Sequence, residues 1–306
     1  MGAISLPSFK KGFYTPKRGG RNSNKDLWRG CMRYFAPYLG YTHYSIYDHS
    51  GYGYGSTVES PVPNVPSWAN SRNGQQSSAL FFPNDGDVDY YTSFSDSGLP
   101  TGVSDISLEL WASCLSTSGT QCYFTFGNVS GGGSASFGRN ISILINGGVW
   151  SASNYGGDVN GSVPVVNKLT HIIASFDSRS KVMTIYIDGA KIATGIMSVF
   201  TRVLSGTGYL GTMNDQGLRY PANGIIYQAA IYNRVIGDGE AKLRASDMGI
   251  MTRIDRSHIT ARVPVNQLGY LNLFGRHVGY ASNPAVSSSI LFRRTIFNRT
   301  GSRGVQ

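Results

Sequence analysis

Apolar and polar positions alternate along several stretches of the chain, and the phase of each alternation predicts which residues face a core. In residues 106–112, Ile106, Leu108, Leu110 and Ala112 take one face, and Ser107, Glu109 and Trp111 the other. In residues 169–176, Leu169, His171, Ile173 and Ser175 share one face while Thr170, Ile172, Ala174 and Phe176 share the opposite one. Both faces are mostly apolar, which predicts a strand covered on both sides inside a two-layer fold. Val182, Thr184 and Tyr186 continue the pattern into a second strand.

Turn chemistry joins these runs. Asp177-Ser178-Arg179-Ser180-Lys181 separates the first pair of strands, and Asp188-Gly189, a strong hairpin signal, leads into a third run at residues 190–193. Residues 168–195 therefore predict an antiparallel meander around which the rest can be placed. Residues 123–127 and 141–145 predict further strands. The Gly131-Gly132-Gly133-Ser134 segment predicts a loop and excludes helix.

The residues of the meander carry a family resemblance. His171, Ser175, Phe176, Asp177, Tyr186, Ile187, Asp188, Gly189, Ala193 and Gly195 resemble the core of the laminin-G-like, concanavalin-like jelly-roll domain. Leu169 stands where that pattern has Trp. Leu27 to Phe35 with Asp48-His49-Ser50-Gly51 resembles the family's opening strand and its D-x-S-G loop. Ala79 to Phe82 with Asp85 to Tyr90 resembles a following strand pair, and Ile231-Tyr232-Asn233-Arg234 the closing strand, with Gln228 and Ala229 in place of its acidic residues. The resemblance implies an all-β, two-sheet antiparallel sandwich over residues 27–251. It leaves a basic N-terminal arm at 1–26 and a basic C-terminal extension with short strands at 252–306.

Composition agrees with a turn-rich β protein: Gly 39, Tyr 19 and 14% charged residues in 306. The net charge of +10 is unevenly spread. Residues 1–33 hold eight basic residues against Asp26, residues 252–306 eight against Asp255, and the middle 11 basic against 15 acidic. Residues 1–26 have no apolar periodicity, so the arm is expected to order only against a partner, through Lys10, Lys11, Lys17, Arg18 and Arg21. Arg293, Arg294 and Arg299 are the corresponding candidates in the extension. There, residues 290–299 repeat the spacing of residues 225–234, which reads either as chance likeness of aromatic strands or as a strand built to add to a sheet edge.

Function classes narrow by exclusion. No apolar run reaches membrane-spanning length, and the first residues lack a secretory apolar core, so no membrane partner is expected. Cys31, Cys114 and Cys122 lack metal-ligand spacing; Cys114 and Cys122 could face each other across a hairpin, although reduced, buried thiols are the expectation. Asp85, Asp87 and Asp89 are the one acidic group that calcium could use, with turn-forming carboxylates the alternative. Of three glutamates, Glu59, Glu109 and Glu240, none has the carboxylate spacing of a glycosidase; Asp105 and Glu109 come nearest. The five histidines form no metal or catalytic motif, and no nucleophile elbow or phosphate loop occurs. A non-enzymatic protein without catalytic or cofactor residues is the expectation.

Two functions remain. Leu6-Pro7-Ser8, Leu27-Trp28-Arg29-Gly30 and Ala36-Pro37-Tyr38-Leu39-Gly40-Tyr41-Thr42 look similar to laminin-G-like proteins encoded among tailed-bacteriophage structural genes. That resemblance implies a capsid decoration or head-surface protein of the virion, or otherwise a tail component, bound to the major capsid protein, other virion proteins or neighbouring copies as a homo-oligomer, with nucleic acid the less expected partner. The alternative is a lectin-like module that binds a surface glycan.

Overall fold

A computed structural model describes residues 25–37, 41–42, 45–46, 48–50, 56–57, 67–69, 79–83, 91–128, 138–197, 200–214 and 218–246. The chain divides into two units, residues 1–255 and 256–306, the second of which lies wholly outside the described residues. The basic candidates Lys10, Lys11, Lys17, Arg18, Arg21, Arg293, Arg294 and Arg299, the carboxylates Asp85, Asp87 and Asp89, and the repeat at 290–299 also lie outside them.

Among the described residues, a 3-10 turn at Lys25–Trp28 precedes nineteen strands and one helix. The strands are β1 Cys31–Phe35, β2 Tyr41–Thr42, β3 Ser45–Ile46, β4 Ser56–Thr57, β5 Ser67–Ala69, β6 Ala79–Phe82, β7 Thr92–Ser95, β8 Ile106–Cys114, β9 Gln121–Gly127 and β10 Asn140–Asn146. They continue as β11 Val149–Ser153, β12 Asp158–Asn160, β13 Thr170–Asp177, β14 Val182–Ile187, β15 Ala190–Ile196, β16 Thr207–Leu210, β17 Met213–Asn214, β18 Leu218–Arg219 and β19 Gly224–Tyr232. Helix α1, Asp238–Ala245, follows. The first sheet runs β15-β14-β13-β8-β19-β6-β5, with β1 also paired to β19; the second runs β12-β11-β10-β9-β16-β7-β4-β3-β2. All these pairings are antiparallel, and the two sheets stack as a jelly-roll sandwich.

The predicted phases hold. Ile106, Leu108, Leu110 and Ala112 of β8 and Ile172, Ala174 and Phe176 of β13 enter the core between the sheets. They meet Phe124 and Phe126 of β9, Ile141, Ile143 and Ile145 of β10, and Trp150 of β11. The meander forms with Ile173 opposite Tyr186 and Asp177 opposite Val182, and its third strand extends beyond the expected residues to Ile196. Asp188, at φ +49°, and Gly189, at +80°, supply the left-handed pair that a tight hairpin of this twist requires.

One expectation is corrected, and two open alternatives are closed. Residues 27–30 are not strand: the opening strand starts at Cys31, after the 3-10 turn, because Gly30 turns the chain at φ +72° where an added Cβ would meet the Asn233 side chain. Cys114 and Cys122 do not face across a hairpin. β8 and β9 belong to different sheets; Cys114 enters the main core while Cys122 packs with Leu144 and Met213 elsewhere, and all three thiols are free and buried. Asp105 and Glu109 do not form a carboxylate pair, for reasons given with the site below.

The outer face of the first sheet is covered as well. Ile173, Tyr186, Ala230 and Tyr232 pack beneath Leu27, Ile236 and Ala241, so the 3-10 turn and α1 form a roof over it. This is the second apolar side predicted for β13. The D-x-S-G motif secures the edge of this region. Asp48 Oδ1 accepts from the backbone N–H of Tyr34 (3.0 Å) and Ser50 (2.9 Å), while Ser50 Oγ donates to Asp48 Oδ2 (2.8 Å) and lies 3.0 Å from the Met32 carbonyl.

Candidate functional site

Two places concentrate polar side chains, one on the outer face of each sheet. On the second sheet, register aligns one residue from every strand into a single row: Thr42, Ser45, Thr57, Ser93, Tyr209, Thr125, Ser142, Ser153 and Asp158. Eight of the nine carry a hydroxyl. From Ser93 to Asp158 the row lies outside because its neighbours along the strands, such as Phe94, Leu210, Phe124, Phe126, Ile141, Ile143 and Ala152, point into the core.

Within the row, Ser93, Thr125, Ser142 and Ser153 are buried, whereas Tyr209 is half-buried and Asp158 exposed. Thr125 Oγ1 donates to the Ile141 carbonyl (3.2 Å) and Ser142 Oγ to the Ser153 carbonyl (3.3 Å). Asn140 Nδ2 reaches Thr125 Oγ1 at 3.5 Å, but Asn140 Oδ1 is buried without a hydrogen-bond partner. At the sheet edge Asn146 Nδ2 donates to Asp158 Oδ2 (2.7 Å).

Tyrosines flank this row. Tyr91 meets Tyr209 edge-on, with ring centroids 5.8 Å apart. Tyr155 and Tyr220, both partly exposed, pack on one apolar base formed by Cys122, Leu144 and Met213. Both hold left-handed backbone, φ +60° and +59°. That region disfavours residues with a Cβ, and such strain persists where surrounding structure fixes it, often at ligand sites.

On the first sheet, beneath the roof, lies a buried ion network. Glu109 Oε1 accepts from His171 Nε2 (2.9 Å); its Oε2 accepts from the Tyr232 hydroxyl (2.7 Å) and from Arg244 Nη1 (2.8 Å). Arg244 lies over the Tyr232 ring, 4.3 Å from its centroid, and donates through Nε to Glu240 (2.7 Å) and through Nη2 to the Leu27 carbonyl. Glu240 also takes a two-pronged contact from Arg234, whose Nε reaches the Arg29 carbonyl (2.6 Å). Burial would push the Glu109 carboxyl up, but the Arg244 guanidinium and His171 outweigh it and hold the group at about 2.

Glu109 is 1% exposed, so its carboxylate is committed to structural partners. Asp105 instead accepts from the backbone N–H (2.9 Å) and hydroxyl (2.6 Å) of Ser178, tying the meander's first turn to the start of β8. The two carboxylates singled out by spacing therefore serve different contacts. Among the described residues no group of three or more His, Cys, Asp or Glu side chains could hold a metal ion, and no helix is long and apolar enough to cross a membrane. Burial pushes the Cys31 and Cys122 thiols up, which makes them unreactive packing groups.

The sandwich, with two stacked antiparallel sheets and a single short helix among the described residues, defines a lectin-type jelly roll. The sequence model of the concanavalin A-like lectin/glucanases superfamily matches residues 84–242, just over half of the chain, and the chain belongs to that superfamily. No curated protein matches the sequence. Among solved structures, the sialidase of Trypanosoma rangeli in complex with 2,3-difluorosialic acid is similar at 12% identity and TM-score 0.51, over 72% of this chain and 33% of that one. The chain thus spans about a third of that enzyme's length, and the likeness concerns fold alone. The Ruminococcus gnavus IT-sialidase CBM40 bound to α2,3-sialyllactose aligns at 17% identity and TM-score 0.41, over 50% of this chain and 91% of that one.

Proposed function

We propose that the sandwich is a carbohydrate-binding, lectin-like module that works without catalysis and without a cofactor, and that the outer face of the second sheet is its binding face. The observation that carries this reading is the tyrosine pair. Tyr155 and Tyr220 stand on a shared apolar base beside the hydroxyl row, each in a backbone conformation that costs free energy. A pyranose has apolar C–H faces and a hydroxyl rim. Aromatic rings take the first, while Tyr209, Asn146 and Asp158 can meet the second. The buried hydroxyls beneath fix the floor of the face. Superfamily membership supports the same reading.

The test is glycan-array binding by the full chain and by a Tyr155→Asn/Tyr220→Asn double variant. Asn tolerates left-handed backbone, so the rings are removed without added strain. Two stacking contacts at about 0.5–1.5 kcal/mol each predict a loss of roughly fivefold to a hundredfold in affinity, with the melting temperature maintained. Undiminished binding by the variant would move the site elsewhere. A wild-type chain that binds no glycan would remove the lectin reading itself.

A finer assignment is a virion-surface protein of a tailed bacteriophage, attached through its basic ends to the major capsid protein, another virion component or neighbouring copies. The resemblance of residues 6–42 to such proteins and the concentration of positive charge at both ends support it. Both readings fit one molecule, with attachment and glycan recognition at different places. Mass spectrometry of purified particles is expected to find the chain at a fixed ratio to the major capsid protein; its absence from particles would end this assignment.

A further inference from the structure

Among the described residues, the paths of the two sheets end on β5, β12 and β2, of three, three and two residues, and on β15. Short edges offer little backbone for another chain to pair with. β15 differs. It runs seven residues, Ala190–Ile196, and no described strand pairs with its outer side. The Met197 N–H donates to the Lys181 carbonyl (2.8 Å), on the β14 side. Alternation turns the N–H and C=O of Ala193 and Gly195 the same way and aims those of Thr194 and Ile196 outward.

The side chains divide in the same rhythm. Ala193 packs on the interlayer core and Gly195 lies against Val159, whereas Ile192, Thr194 and Ile196 are exposed. Edge strands are usually guarded by charge, proline or a bulge. Here the one charge, Lys191, is engaged by Asp238 at 3.1 Å, and the one bulge lies at the strand's start, opposite Tyr186. Residues 192–196, Ile-Ala-Thr-Gly-Ile, carry neither charge nor proline.

We propose that β15 is the contact between two copies of this chain, paired antiparallel about a twofold axis at Thr194; this goes beyond the glycan reading and is independent of it. The edge is its own complement in that register. Ile192 of one copy stands opposite Ile196 of the other and Thr194 opposite Thr194, apolar and hydroxyl pairs of the kind that stabilise a ladder. With its N–H and C=O aimed outward, Thr194 would exchange both hydrogen bonds with its counterpart. No like charges are brought together. A contact of this length is far smaller than the roughly 20–30 residues a side of a lasting interface, so the dimer forms reversibly, at micromolar concentrations.

The test is sedimentation velocity of the full chain over micromolar to submillimolar concentrations. The mean mass is expected to climb toward twice that of one chain. Ile192→Lys/Ile196→Lys sets ammonium groups opposite each other at both paired positions and should weaken association about tenfold or more. Ile192→Glu/Ile196→Lys instead sets each new carboxylate opposite the other copy's new ammonium, and should return association to within about threefold of wild type. Both positions are exposed, so both variants should melt with the wild-type chain. A chain that stays monomeric throughout would overturn the proposal; protection of its Thr194 and Ile196 amides from hydrogen exchange would then assign the edge to a segment of the same chain. A dimer indifferent to the lysine pair would overturn the β15 contact. Equal weakening by the two double variants would overturn the register about Thr194.

Discussion

A Glu109→Ala variant is expected to lose about 3–5 kcal/mol of stability, the cost of leaving a buried partner uncompensated. The Arg244 guanidinium would then lose the Glu109 carboxylate under the roof, and His171 and the Tyr232 hydroxyl would lose their shared acceptor. Against a total of about 5–15 kcal/mol for a folded domain, that loss brings the sandwich near its unfolding threshold. Urea denaturation followed by fluorescence reads it as a lower midpoint with unchanged slope; a shift under ~1 kcal/mol would mean that the network is dispensable. The same carboxylate sets an acid limit. Its folded value of about 2 lies below its ordinary 4.5, so its stabilisation is complete above 4.5 and is lost as pH falls toward 2. Glu109→Gln should flatten that part of the stability–pH curve.

Phe176→Ala should cost about 3–5 kcal/mol by opening a cavity in the interlayer core. The ring is fully buried, lies 3.9 Å from that of Phe200 and sits in register between Met183 and Ile106. Ile196→Ser on edge strand β15 is the matched control: at 77% exposure it should change stability by no more than about 0.5 kcal/mol. If the two variants unfold at similar denaturant concentrations, the core does not lie where the structure places it.

The meander and β8 were legible because their signals are local: alternation fixes the faces, and Asp188-Gly189 fixes the turn. β11 was harder. Val149–Ser153 was not among the expected strands, and it pairs with β10; the preceding Asn146-Gly147-Gly148 was the signal that a hairpin reading could have used. The separation of β8 from β9 into different sheets leaves no mark in the six intervening positions, which is why a hairpin placing Cys114 opposite Cys122 stayed open as an alternative. Neither polar site was legible. The hydroxyl row takes one ordinary residue from each of nine strands in non-sequential order, and Tyr155 and Tyr220 carry none of the glycine or asparagine that usually marks left-handed backbone. Arg244 lies 135 positions from the Glu109 it neutralises, beyond any spacing rule.

The placement of β19 has a consequence for how the molecule comes into being. This strand is the last of the described strands to be synthesised, yet it occupies the interior of the first sheet, between β8 on one side and β6 with β1 on the other. Until residues 224–232 have left the ribosome, the paired meander and the N-terminal strands exist as two open edges with unmet backbone groups. Closure needs contacts of very long sequence separation, Cys31 with Tyr232 among them, so the chain must hold its halves apart from other nascent chains for most of its synthesis. A late insertion of this kind makes assembly slow and nearly all-or-none, and it leaves the finished sheet with no edge at the seam where it closed.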